Sequence, residues 1–114
     1  MKKDVKKFEV YYVDLGKGIG SVQAGLRPCV VVSNDTGNYY ATIVMVAPIT
    51  SKQKHKLPTH VEVGVKDGLK TSSTILLEQI MTISKDQLQQ YQCNLIHRAD
   101  EIDKKIDISF GINK

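Results

Sequence analysis

Cysteine is scarce in this chain. Cys29 and Cys93 are the only two, they share no CxxC spacing, and no histidine cluster stands near either. That argues against a disulfide framework and against a cysteine-based metal site. Cys29, inside an apolar segment, reads as a small buried hydrophobe. Long hydrophobic runs are missing too, since no stretch approaches the roughly 20 apolar residues that span a bilayer. The opening Met1-Lys2-Lys3-Asp4-Val5-Lys6-Lys7 is basic with no apolar segment behind it, which argues against a secretory signal and for the cytoplasm. Repeats, low-complexity tracts and linkers are absent, so residues 1–114 read as one domain with a modest core. No zinc-ligand pattern, P-loop or GxSxG elbow occurs, so no metal or other cofactor is expected.

What the chain has is positive charge, unevenly placed. The net charge is +4. Residues 1–70 carry eleven Lys/Arg and six Asp/Glu, a balance of +5, whereas residues 71–114 carry five against six, a balance of −1. The cluster Lys52, Lys54, His55 and Lys56 lies in the basic part. Such asymmetry suits a polyanion, because phosphates neutralised by lysine or arginine release counterions. Charge by itself is a weak argument, since lysine-rich surfaces are common.

The first half reads as β structure. Phe8 to Leu15 is rich in aromatic and branched residues, Arg27 to Ser33 is a second strand, and a third runs from about Tyr40 with Thr50 at its end. Asn34-Asp35-Thr36-Gly37-Asn38 has turn chemistry, which predicts a hairpin between the second and third strands. Residues 16–25, with four glycines, should form a mobile loop, and residues 50–58 a second exposed one. Thr59 to Val63 is a short strand, and turns precede the run Thr74 to Ile83. Ser84-x-x-Gln87 is a capping-box pattern opening a short helix. Asp100 to about Ile112 reads as a terminal helix, with Ile102, Ile106 and Phe110 as an apolar stripe for core or subunit contact. Many short strands with few helices favour a small, strongly curved sheet or barrel.

One segment stands out: Gly20-Ser21-Val22-Gln23-Ala24-Gly25-Leu26-Arg27-Pro28, followed by Cys29-Val30-Val31-Val32. Proline disfavours helix for the residue before it, so Arg27 should be extended at the mouth of an apolar strand. There its planar fork of donors suits a phosphate, although a structural ion pair would use the same position. RNA can be cut without a metal when its own 2′-OH attacks the neighbouring phosphorus, which needs proton transfers and donors to the charged oxygens. Arg27 is the candidate for phosphate stabilisation, and Thr50 could add a hydroxyl hydrogen bond or simply cap a loop. His60 could act as a base or be a hydrogen-bonded structural residue, while His55 and His97 read as surface residues.

The ordered set of Gly-Ser-x-Gln-x-Gly-x-Arg-Pro, Val31-Val32-Ser33-Asn34-Asp35, Ala47-Pro48-Ile49-Thr50, Leu57-Pro58-Thr59-His60-Val61 and Leu76-Leu77-Glu78-Gln79-Ile80 resembles the MazF/PemK family of toxin endoribonucleases over nearly the whole chain. The resemblance implies a mainly β, SH3-like small barrel with a C-terminal helix, and a type II toxin that cuts single-stranded mRNA to leave 2′,3′-cyclic phosphate and 5′-hydroxyl ends. It implies Arg27 and Thr50 as the catalytic pair. Ser21, Gln23, Ser51, His60 and Gln79 fall near the RNA groove, and Lys56 of the basic cluster joins them as an RNA-binding candidate. It also implies a homodimer and a MazE-like antitoxin that occupies the groove. Two departures are visible. Val22 stands where many relatives carry an acid, so no mechanism using that acid as base can operate here. Phe8-Glu9 replaces the Gly-Asp that often opens the first strand, a change expected to alter only an edge. The rival reading is a non-catalytic CcdB-like toxin, which shares the barrel but binds and poisons DNA gyrase. A plain basic RNA-binding module is a third.

Overall fold

The computed structural model describes residues 4–112, apart from 19, 21, 53 and 54. Three adjacent strands form its centre: β1 (Glu9–Asp14), β2 (Leu26–Val31) and β3 (Ile43–Thr50). Their residues are buried on both sides. Val10, Val30, Ala47 and Ile49 face one apolar cluster, and Tyr11, Val13, Cys29, Val31, Val44 and Val46 face another. A strand covered on both faces has no need of polar alternation, which is why Cys29-Val30-Val31 is continuously apolar. Burial pushes the Cys29 thiol up to about 12, in keeping with an inert core residue.

The chain continues through β4 (His60–Val63), β5 (Ser73–Leu76), β6 (Met81–Ser84) and β7 (Leu88–Asn94). The strand order is β4-β5-β3-β2-β1-β7, with β6 also paired to β3, and every pairing is antiparallel. β3 is the shared strand. Ile43 to Val46 pair with β6, while Ile49 and Thr50 pair with β5. The 3₁₀ turn Leu77–Gln79 lies between those two partners and interrupts the Thr74–Ile83 run. The barrel expectation holds loosely: the architecture is a seven-stranded antiparallel sheet with a C-terminal helix, and its end strands β4 and β7 do not close on each other.

Two elements depart from the sequence reading. In place of a tight turn, residues Asp35–Tyr40 form a short helix, α1. Asn34 caps it by accepting from the Gly37 N–H at 2.8 Å, and fully buried Asn38 donates to the Ser33 carbonyl at 2.8 Å. β2 and β3 are still antiparallel neighbours, as a hairpin would make them. β7 had no counterpart in the sequence reading. The capping box at Ser84 and Gln87 is present and starts a 3₁₀ turn, Lys85–Gln87. The terminal helix, α2, spans Ala99–Ser109; Ile102 and Ile106 pack on the core, whereas Phe110 beyond its end is exposed.

The Phe8-Glu9 departure reaches further than an edge. Phe8 has φ 77°, the left-handed region where a bulky side chain is a genuine outlier. It is held there by two backbone hydrogen bonds of 2.8 Å, its N–H to the Val31 carbonyl and its carbonyl from the Leu95 N–H. Its ring is buried in the cluster that also receives Ile102 of α2.

Candidate functional site

Arg27 and Thr50 lie on neighbouring strands. β2 and β3 pair as Cys29↔Pro48, Val30↔Ala47 and Val31↔Val46. The same register carried two residues further sets Arg27 opposite Thr50, at the end of the sheet where both strands meet loops. Across β3, Thr50 pairs with Thr74, and Thr74 pairs with Glu62 of β4. Directly opposed residues share a sheet face, so Arg27, Thr50, Thr74 and Glu62 form a row across four strands. The row beside it, Ile49, Ile75 and Val61, points into the core.

Arg27 is half-buried. Its one hydrogen bond among the described residues runs from Nε to the Ala24 carbonyl at 3.0 Å, which leaves both terminal amino groups of the guanidinium unspent. Thr50 is fully buried, and its Oγ1 accepts from the Lys52 N–H at 3.2 Å. That bond uses a lone pair of the hydroxyl and not its proton. Ser51 is exposed directly beside it, and Lys56 is exposed on the same connection.

The glycine-rich loop is tied at both ends. Leu15 and Gly16 bond to Gly25 through backbone hydrogen bonds of 2.9 and 2.8 Å. Gly16 and Gly25 take φ of 69° and 77°, which suits glycine there. Further in, the Gln23 N–H donates to Gln79 Oε1 at 2.9 Å, joining the loop to the turn after β5. The Gln23 side chain is buried, and its Oε1 has no hydrogen-bond partner among the described residues. Ser21, an expected RNA contact, lies outside the described residues.

His60 is nearly fully buried. Its Nδ1 accepts from the Leu57 N–H at 3.2 Å, so Nε2 carries the proton and faces Glu78 Oε2 at 3.0 Å. With both nitrogens engaged it braces Leu57 against Glu78. Burial pushes the Glu78 carboxyl up, but a backbone N–H, the Thr59 hydroxyl and His60 outweigh that and hold it below its ordinary value. Glu78 was in view as part of Leu-Glu-Gln-Ile, yet nothing in the linear sequence pairs it with His60. Thr74 and Glu62 went unread as site neighbours because only strand register brings them beside Thr50.

The chain is similar to known proteins in both sequence and fold. The sequence pattern of PemK-like, MazF-like toxins of type II toxin–antitoxin systems matches residues 6–110. Endoribonuclease EndoA of Bacillus subtilis (strain 168) is 44% identical over 111 residues, covering 96% of this chain and 93% of the relative. Endoribonuclease MazF of Staphylococcus epidermidis is 44% identical over 112 residues, again covering 96% and 93%. Among solved structures, an endoribonuclease from mycobacterial species superposes with a TM-score of 0.81 at 22% identity, covering 98% of this chain and 96% of that one. A mycobacterial endoribonuclease in complex with its cognate antitoxin gives 0.80 at 24% identity, covering 96% and 98%. The two structures speak for the fold, and the sequence matches, which run nearly end to end, place the chain in the family of PemK-like, MazF-like toxins of type II toxin–antitoxin systems.

Proposed function

We propose that this chain is a toxin endoribonuclease that cuts single-stranded RNA such as mRNA without a metal ion, using Arg27 and Thr50. The observation that carries the activity is the family match over residues 6–110. The strand register supports the pair, because adjacent strands lie about 4.8 Å apart and two side chains so placed can reach one phosphate. In this reading the RNA's 2′-OH attacks phosphorus, the bond to the 5′ oxygen breaks, and the products are a 2′,3′-cyclic phosphate and a 5′-hydroxyl. The unspent amino groups of Arg27 hold the non-bridging oxygens while negative charge grows on them. The Thr50 hydroxyl, which accepts from the Lys52 N–H, keeps its own proton to donate to the same phosphate. Val22 supplies no carboxylate in the loop, so proton transfer runs through other groups.

Gln23, Gln79, Ser51, Lys56 and Ser21 border the RNA path, and His60 positions it from beneath. Unstacked bases in single-stranded RNA expose their edges, which fits selection of a short motif. The assembly is a cytoplasmic homodimer with RNA across both subunits, inhibited by an acidic, MazE-like antitoxin segment that folds along the basic groove. No helix among the described residues is long and apolar enough to cross a membrane. The gyrase-poisoning alternative is set aside, because the relatives at 44% identity are endoribonucleases.

The test is cleavage of an unstructured oligonucleotide in excess EDTA. Cutting should persist, and replacing the 2′-OH with hydrogen at the scissile nucleotide should stop it. An absolute magnesium requirement, or cutting of the 2′-deoxy substrate, would overturn the mechanism.

A further inference from the structure

Beside Thr50 the surface opens into a groove of about 640 Å³ lined by Ser51, Lys52, Glu62 and the hydroxyl run Thr71 to Thr74. That volume falls within the range of small-ligand sites, about 300–1,000 Å³. Its lining is polar and mostly uncharged, with one lysine and one carboxylate. The carboxylate is oriented: the Thr74 hydroxyl lies 3.2 Å from Glu62 Oε1 and 3.1 Å from Oε2. Thr74 spends a single proton on it, whereas a carboxylate offers about four acceptor positions, so most of Glu62's capacity is open to the groove.

Resting on the endoribonuclease reading above, we propose that Glu62, oriented by Thr74, reads the base of a nucleotide next to the scissile phosphate. Glu62 stands two strands from Thr50, about 10 Å at ordinary strand spacing. That is too far to take a proton at a phosphate held by Arg27 and Thr50, since a general base must come within about 3 Å. A phosphate is also the wrong guest for the carboxylate itself, because like charges repel. Lys52 suits the RNA backbone, and Glu62 suits a hydrogen-bond donor. In single-stranded RNA the open base edges carry such donors, the amino groups of cytosine, adenine and guanine and the ring N–H of guanine and uracil. Thr74 is a positioning residue, and Glu62 sets specificity.

The experiment cleaves an RNA pool randomised around the cut and sequences the ends, comparing the wild type with Glu62→Ala, Glu62→Gln and Thr74→Val. Both residues are on the solvent side of the sheet, and thermal unfolding checks that each variant is folded. Glu62→Ala should lower the preference for the base selected at one position beside the cut by about tenfold, the scale of one good contact to a base edge. Glu62→Gln should shift that position toward adenine, which pairs with an amide through N6 and N7. Thr74→Val should move the same position by less. An unchanged profile in all three variants overturns the inference, as does a uniform loss of cutting at every site by a folded Glu62→Gln. A wild type that leaves the pool intact refutes the endoribonuclease reading and this inference with it, whereas a cutting wild type with unmoved variants refutes only the latter.

Discussion

Two arginines on this molecule have opposite surroundings. Arg98, at the start of α2, is spent: Nε and Nη2 bond to Glu101 at 3.1 and 2.6 Å, Nη1 to Asp67 at 3.2 Å, and Nη2 to the Glu62 carbonyl at 2.8 Å. Asp67 has two further partners, accepting from the Gly64 N–H at 2.9 Å and facing His97 Nε2 at 2.8 Å. Arg27 makes a single bond among the described residues, to the loop carbonyl of Ala24. A charged group with four of its five donors used holds elements together. One left with open donors at the end of a sheet has binding capacity in reserve, and the contrast separates scaffold from site more sharply than charge does.

Alanine at each arginine should split the two roles, and the largest effect belongs to Arg27. Arg27→Ala is expected to slow cleavage about 10²- to 10³-fold, the usual cost of one transition-state donor, while the thermal midpoint stays near that of the wild type. Cutting within about threefold of wild type would remove Arg27 from the mechanism. Thr50 comes next. Thr50→Ala should cripple cleavage and Thr50→Ser should retain much of it, because only the hydroxyl is invoked; equal losses would point to the buried methyl. Arg98→Ala should instead cost about 1–3 kcal/mol of stability by leaving buried Asp67 short of a donor, with cleavage per folded molecule preserved. A chemical denaturation curve and a cleavage assay on one preparation settle both halves.

The smallest expected effect is on the acid limb of stability. Burial pushes Asp67 up, but its bonds to His97, Gly64 and Arg98 outweigh that and hold its carboxyl below the ordinary value. A folded-state value below the unfolded one, about 3.9, contributes stability that is complete above pH 4 or so and lost as pH falls further. Glu78 shifts in the same direction, so Asp67→Asn should flatten the acid limb only in part. Identical acid limbs in the two proteins would show that Asp67's bonds matter little to folding.

Much of this was legible before any coordinates. Arg27 stood out because Pro28 restricts it and the apolar strand behind it is unmistakable; the Ser84 capping box and the Ile102–Ile106 stripe rest on equally local physics. α1 was hidden because Asn34 to Asn38 serves a turn or a helix cap equally well, and the burial of Asn38 against Ser33 belongs to the folded chain alone. β7 was hidden because Leu88-Gln-Gln-Tyr-Gln-Cys-Asn has one fully buried residue and no alternation, as an edge strand allows. In the site, residue types were readable but neighbours were not. Thr74 and Glu62 join Thr50 only through register, and no local feature of the sequence marks Thr50 as fully buried.

Phe8 sets two demands of its position against each other. A glycine suits its left-handed backbone at no cost, whereas phenylalanine carries strain of about 1–3 kcal/mol there. Its ring lies in the core beneath α2, where truncating a phenylalanine typically costs about 3–5 kcal/mol. Phe8→Gly therefore forfeits more than it relaxes. The position is held twice, by a backbone that suits glycine and by a core that needs the ring, so glycine is not a neutral alternative in this sequence.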